Sequence, residues 1–414
     1  MTSQLANPAV RRLDDWSGAT LRDLVDEHDS PLYVMDLDRV RQNYERVTDA
    51  FPDAEVLYAV KANAGREVLE TLSDAGAGAE CASAGELARA LDAGFDPGDV
   101  HYTAVNPPSE DLDYAVDVAA EHPELTVTGG ARDTVTRLAD RDFSGRFCLR
   151  VHPGVGAGHS EDVATGADAK FGVPIDRASS VIAAAEKHGF DVVGLHAHVG
   201  SGMTGDDVAE HREMVSRLAD LAEGLDELEF VDVGGGFGVP YRPDEPPLDL
   251  DTVASATRDA LTGVDAQLVV EPGRYLVADA GVLCTTVNTV KPAGDVILAG
   301  VDAGMTTLLR PMLYDAYHHV SNVARDADDR PERTVTVVGP ICESTDVLAS
   351  DRRLPRPRRG DVLAVGNAGA YGIEMANQYN SRPRPAVVAL DDGDTRLVRR
   401  RETVSDITDS EVAR

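Results

Sequence analysis

The sequence predicts an α/β fold: an eight-stranded (β/α)8 barrel followed by a mostly β domain. Two observations carry this. Between about residues 54 and 275, short apolar runs alternate with amphipathic stretches, the rhythm of strand–helix units in series. After about residue 280 that rhythm stops, and apolar runs are parted by Gly, Pro and Asp, as in a sheet of short strands and turns. An open doubly wound sheet is the competing architecture for the first region. The expected division is 36–280 for the barrel, and 1–35 with 281–414 for the β domain.

The eight apolar runs are Val56–Val60, Ala77–Ala82, Val100–Val105, Leu125–Thr128, Phe147–Val151, Val192–Val199, Glu229–Val233 and Leu268–Val270. Helix-like segments between them include Ser83–Ala93, Ser109–Glu121, Pro174–His188 and Asp206–Leu225, with Leu37–Phe51 as a helix leading in. In the second domain Val282–Val290, Val296–Val301, Thr334–Val338, Asp361–Val365, Ala386–Leu390 and Thr395–Arg399 read as strands. Asp391-Asp392-Gly393-Asp394 reads as a hairpin turn. The early run Leu32–Met35 is a candidate to join this sheet, and Pro355–Gly360 is a loop.

Composition removes several classes of function. The formal net charge of −33 repels nucleic acid. Only four of the 39 basic residues are lysines. So acidic a surface suits a protein of molar salt, where screening weakens self-repulsion. No run of eighteen apolar residues exists, and Met1–Trp16 has no apolar core of a signal peptide. Cys81, Cys148, Cys284 and Cys342 lack metal spacing and read as reduced thiols of a cytoplasmic protein.

In a barrel of this type, chemistry collects at the C-terminal ends of the strands. The first run ends in Lys61, which is either a solvated surface residue or an amine for covalent catalysis, a task a guanidinium does badly. The sixth ends in His196 and His198, an i, i+2 pair suited to a shared strand face. They are open to metal binding, to stacking on a flat cofactor, or to a core role, and no third ligand has matching spacing. The seventh ends in Gly234-Gly235-Gly236, a tight turn or an anion cradle of backbone N–H groups. The eighth ends in Glu271-Pro272-Gly273-Arg274, where the carboxylate pairs with Arg274 or keeps a pyridine nitrogen protonated. An amine, a flat ring, a phosphate cradle and a carboxylate at one mouth are the parts that hold pyridoxal phosphate.

These residues, in the runs Tyr58–Asn63, Glu80–Leu87, His198–Ser201, Gly234–Gly236 and Glu271–Arg274, resemble the fold-type III pyridoxal-phosphate decarboxylases over nearly the whole chain. Gly339–Ser344, Ala370–Gly372 and Tyr379–Pro385 extend the likeness into the second domain. Within that group the sequence is similar to the diaminopimelate decarboxylases, in a haloarchaeal-like version. The resemblance implies that Lys61 holds the cofactor covalently and that His198 stacks on its ring. It implies Ser201, Gly235, Gly236 and Tyr371 at the phosphate, with Glu271, Pro272, Gly273 and Arg274 completing the cofactor site. It also implies that Cys342 is a proton donor reaching the partner's active site in a homodimer. Diaminopimelate carries an amino-acid group at each end, so its unreactive end needs a cation and an anion. Arg274, Arg310 and Tyr314 match the family's carboxylate contacts, and Glu343 and Tyr371 complete the implied substrate site. Two arginines would repel a plain diamine, which disfavours ornithine, arginine or carboxynorspermidine as substrate. A cofactor-binding regulator without activity would usually have lost the lysine or the cysteine. One departure is Val105-Asn106-Pro107-Pro108, where the family commonly has Asn-Asn-Lys.

Overall fold

The structure is a computed structural model that describes residues 10–155, 170–225 and 228–412. Most of the loop expected at Gly156–Gly172 therefore lies outside the described residues. The chain divides into two compact units: a β unit of Met1–Gln42, Val239–Pro247 and Val277–Arg414, and a barrel unit of Asn43–Gly238 and Leu248–Leu276.

The β unit contributes the first strand, β1 (Leu32–Asp36), after a helix, Gly18–His28, whose first turn is capped by the Ser17 side chain. The barrel unit then supplies β2 (Ala54–Ala59), β3 (Gly78–Cys81), β4 (Val100–Tyr102), β5 (Thr126–Gly129), β6 (Arg146–His152), a two-residue β7 (Val173–Pro174), β8 (Asp191–His196), β9 (Phe230–Asp232) and β10 (Gln267–Val270). Neighbouring strands pair in parallel in the order β2-β3-β4-β5-β6-β8-β9-β10, and β10 returns to β2. That ring closes the barrel with β7 as an appendage on β6. Its strands are buried on both faces, which is why they read as unbroken apolar runs. Leu57, Cys148, Val193, Phe230 and Val269 pack together as one core cluster.

Helices cover the barrel where the amphipathic stretches predict them. Ala84–Asp92 starts where Ser83 Oγ accepts from the Glu86 N–H, while Glu86 accepts from the Ala82 N–H, a reciprocal cap. Ser109–Glu121 keeps its predicted bounds. The helices expected over 174–188 and 206–225 are shorter, Ala178–Lys187 and Val208–Ala222, because each opens with a 3-10 turn.

The β unit continues with β11 (Gly281–Ala293), β12 (Val296–Val301), β13 (Val320–Asn322), β14 (Glu332–Val338), β15 (Val347–Pro355), β16 (Val362–Val365), β17 (Ala386–Asp391) and β18 (Asp394–Arg399). β1 joins this sheet, antiparallel to β11 and parallel to β17. Asp392 and Gly393, both at positive φ, make the hairpin turn between β17 and β18, as the sequence predicts. β13 and β15 are strands the pattern did not reveal. β15 carries Ser350-Asp351-Arg352-Arg353 in its middle, so its polar run hides it. Trp16, Leu24, Leu32, Val34, Cys284 and Val388 lie in the core of this unit. Among the described residues no helix is long and apolar enough to cross a membrane.

Candidate active site

β2 ends in a 3-10 turn, Val60–Ala62, braced by a 2.9 Å hydrogen bond from Tyr58 OH to the Asn63 carbonyl. The turn presents Lys61 at the C-terminal end of the strand. Its side chain stays 43% exposed and pairs with the Glu80 carboxylate of β3, which is 2% exposed. Burial raises the pKa of Glu80, and the Lys61 ammonium opposes that rise. The contact draws the Lys61 head group onto a buried carboxylate, whereas an ordinary surface lysine leaves its head group in water.

β8 stops at His196, and His198 lies beyond it. This corrects the expectation that the two histidines share a face of one strand, since they have different partners. The Gly235 N–H donates to His198 Nδ1 at 3.2 Å, which leaves the ring proton on Nε2. Burial first, then Arg150 and Lys61, push His198 down to about 3. The ring is therefore neutral and flat at physiological pH. Gly235 and Gly236 cannot carry side chains. A Cβ at Gly235 would sit 1.9 Å from the Glu271 carbonyl, and one at Gly236 would sit 2.3 Å from the Gly200 carbonyl. Gly236 also has φ +93, a region that favours glycine. The turns at 200–203 and 234–238 thus approach backbone to backbone, tied by Met203 N–H to Gly236 O at 2.7 Å. At their edge Arg274, 7% exposed, donates to Ser201 Oγ at 3.1 Å. Pro272 and Gly273 are buried, and the Pro272 carbonyl accepts from Ala59 N–H at 3.2 Å. That bond ties the end of β10 to the end of β2.

Glu271, 5% exposed, pairs its Oε2 with His196 Nε2 at 3.1 Å. Its other oxygen, Oε1, is buried without a hydrogen-bond donor among the described residues. Burial raises this carboxyl, but His196 and then Lys61 outweigh it and hold it well below the ordinary range. Asp232 moves the other way, raised first by burial and then by the Glu271 charge. His196, Asp232 and Glu271 bring ligand-capable atoms within 4.8 Å of one another. The sequence did not associate the two carboxylates with His196, and His198, its partner in the spacing argument, is not in the group.

These groups fit pyridoxal phosphate. The glycine turns put backbone without side chains where a phosphate is wanted, beside a guanidinium and a hydroxyl. The donorless Glu271 oxygen matches a protonated ring nitrogen, since an unsatisfied buried acceptor costs about 1–3 kcal/mol.

In the β unit Cys342 and Glu343 stand side by side on an exposed turn. Asn380 Nδ2 lies 3.3 Å from Cys342 Sγ, and Tyr379 OH donates to Glu343 Oε1 at 2.5 Å. The turn is anchored by Asp346, 3% exposed, whose carboxylate accepts from the Ile341 and Met305 N–H groups at 2.7 and 2.6 Å. Arg310 is 2% exposed, which excludes a surface salt bridge. Its Nη1 lies 2.8 Å from His318 Nε2, and its guanidinium sits 4.8 Å from the Tyr241 ring centroid. His318 Nδ1 faces the Gly366 carbonyl at 2.8 Å, which puts the ring proton there and makes Nε2 the acceptor from Arg310. Tyr314 is half-buried at the end of the helix Arg310–Tyr314. Tyr371 is held at φ 56, a left-handed conformation rare for a bulky residue and frequent at functional sites.

Sequence reasoning missed Glu80, Arg150 and Asp232 as site residues, together with Tyr379, Asn380 and Asp346. Glu80, Tyr379 and Asn380 lie inside the motifs above, so position within a motif was the available signal. Arg150 and Asp232 have none beyond their place at a strand end.

The pyridoxal binding domain of the pyridoxal-dependent decarboxylases matches residues 37–278. The diaminopimelate decarboxylase of Methanothermobacter thermautotrophicus is 43% identical, over 94% of this chain and 93% of its own length. That of Aquifex aeolicus is 36% identical, over 93% and 92%. The crystal structure of diaminopimelate decarboxylase from Helicobacter pylori, complexed with L-lysine, superposes with a TM-score of 0.88 at 32% identity, covering 94% of this chain and 98% of that one. With lysine, glycine turns and buried carboxylate at one barrel mouth, and with likeness of this extent, the chain belongs to the pyridoxal-dependent decarboxylases, in the diaminopimelate decarboxylase family.

Proposed function

We propose that the chain converts meso-2,6-diaminopimelate to L-lysine and carbon dioxide, with pyridoxal phosphate at the barrel mouth, as the last step of lysine formation. The observation that carries this reading is the convergence on one mouth of Lys61, His198, the glycine turn and the donorless oxygen of Glu271. When bound, the cofactor supplies an electron sink for the pair left behind as carbon dioxide departs.

The residues divide the remaining work. Lys61 offers the amine that anchors the cofactor and, with substrate bound, is released to move protons. Glu271 holds a proton at the ring nitrogen, and neutral His198 presents a flat face. Ser201, Gly235, Gly236, Arg274 and Tyr371 hold the phosphate, and Pro272 and Gly273 shape the wall beside it. Arg274, Arg310 and Tyr314 receive the distal carboxylate. Glu343, with Tyr371, receives the distal amine. Binding energy from that remote end is used to orient the bond to be broken. Cys342 then protonates the carbon that lost its carboxylate.

Cys342 and Glu343 are exposed on the β unit, which supports a homodimer in which they serve the partner's barrel. Mixing Lys61→Ala with Cys342→Ala protein tests this. Shared sites restore about a quarter of the active sites in random dimers, and sites built within one chain restore none. No disulfide links the four cysteines, which supports a cytoplasmic enzyme, and the acidic surface supports activity at molar salt. The test of function is carbon dioxide release in molar potassium chloride with added cofactor. Meso-diaminopimelate is expected to be turned over at least tenfold faster than ornithine, arginine or carboxynorspermidine. Faster release from any of these would overturn the substrate assignment.

A further inference from the structure

Glu271 is surrounded by titratable groups from several strand ends: His196 of β8, Asp232 of β9, Lys61 after β2, Glu80 of β3, His198 after β8 and His101 of β4. Of these, His196 makes a direct hydrogen bond to its carboxylate, at 3.1 Å, with both side chains at least 95% buried. A carboxylate at the end of a side chain rotates about its last bond unless one oxygen is fixed. The bond to Oε2 fixes it, and Oε1 is then the oxygen without a hydrogen-bond partner among the described residues. The two oxygens are thus unequal before anything binds.

We propose that His196 is a positioning residue for the decarboxylation, fixing Oε2 of Glu271 so that Oε1 is kept for the ring nitrogen, and that Asp232 supports this arrangement from β9. Asp232 Oδ1 accepts from the Gly234 N–H at 2.8 Å. The same carboxyl group therefore touches the glycine turn and faces Glu271, so the phosphate end and the nitrogen end of the cofactor site share one buried support. Burial first, then the Glu271 charge, raise the pKa of Asp232. His196 works through Glu271 and touches neither substrate nor cofactor. The inference rests on the assignment of Glu271 to the ring nitrogen.

The test reads the ring nitrogen directly. Apoprotein is reconstituted with pyridoxal phosphate labelled with nitrogen-15 in the ring, and the protonation of that nitrogen is followed by NMR against pH at full cofactor occupancy. The native protein is expected to keep it protonated, and Glu271→Gln to release the proton. His196→Leu should shift its titration to lower pH by about one unit, tenfold in the protonation equilibrium. His196→Gln, which retains a neutral N–H donor, should restore most of the native curve. In turnover, His196→Leu should lower kcat about tenfold and leave KM for diaminopimelate unchanged. If His196→Leu does not fold, His196→Asn, too short to reach Oε2, takes its place with the same expectations. A native titration curve in these variants, with Glu271→Gln still losing the proton, overturns the role of His196 alone. A Glu271→Gln protein that keeps its ring nitrogen protonated overturns the reading of Glu271 itself.

Discussion

In the barrel unit Glu271 and His196 are sunk among strand ends, at 5% and 1% side-chain exposure, while Lys61 stays 43% exposed. In the β unit, Cys342 and Glu343 stand on an exposed turn, held from beneath by the buried Asp346. Enclosure keeps the Glu271–His196 pair rigid, dry and fixed in charge. Cys342 and Glu343, meant to deliver a proton and grip a passing substrate, have access, and rigidity reaches them through the buried Asp346 carboxylate and its backbone partners. The pair that would hold the cofactor nitrogen and the pair that would deliver a proton thus sit on different kinds of surface.

The largest break in that division is at Lys61. Lys61→Ala is expected to abolish both the absorbance of covalently held cofactor and carbon dioxide release, since it removes the amine at the end of β2 that would hold the cofactor. Removing a delivering group should leave the holding intact. Cys342→Ala is expected to lower kcat about 10²–10⁴-fold, while the cofactor stays bound, as dialysis followed by absorbance will show.

Acid separates the units through stability. Burial drops His101 and His211 of the barrel unit to about 4, from an ordinary value near 6.5. The unfolded chain binds these protons first, so their contribution is complete above about pH 6.5 and is lost as pH falls through about 4. His101 alone is worth roughly 3 kcal/mol in that window. Glu402 of the β unit behaves differently. Burial raises it, but Arg384 and Gln378 outweigh that and hold it at about 2. Its contribution is complete above about pH 4.5 and is lost as pH falls through about 2. Hydrogen exchange between pH 6.5 and 4 should therefore lose protection in β4 before β17, and the reverse order would refute the distinction.

Smaller effects sharpen the comparison. Arg310→Met removes a charged donor worth about 1.5–3 kcal/mol, so KM for diaminopimelate should rise about 10–100-fold with little change in kcat. Asp346→Asn keeps the size of the anchor and weakens its grip on the Ile341 and Met305 N–H groups. It should lower kcat only a few-fold, visible in single-turnover kinetics, and leave cofactor binding unchanged.

Much of the fold was legible because period and punctuation are local. The eight barrel runs all became strands, and the Asp391–Asp394 hairpin formed where its turn residues require it. β15 escaped because its polar middle breaks the apolar pattern. At the site, Lys61, Gly235, Gly236 and Glu271 could be picked out because each residue type at a strand end is chemically unusual. His196 was noticed only as half of a pair that the backbone divides between strand and loop. Asp232 and Arg150 went unnoticed because a single charged residue at a strand end carries no signal of what it faces.

The sequence by itself determined the order of strands and helices, the family, and the chemical types gathered at the barrel mouth. These follow from side-chain period and from residue identity, which neighbours along the chain express. Which oxygen of Glu271 is taken, that His198 is neutral with its proton on Nε2, and that Lys61 meets Glu80 were decided only by the tertiary structure. Each depends on groups from different strands sharing a volume closed to water, where burial and distance set charge and hydrogen bonding.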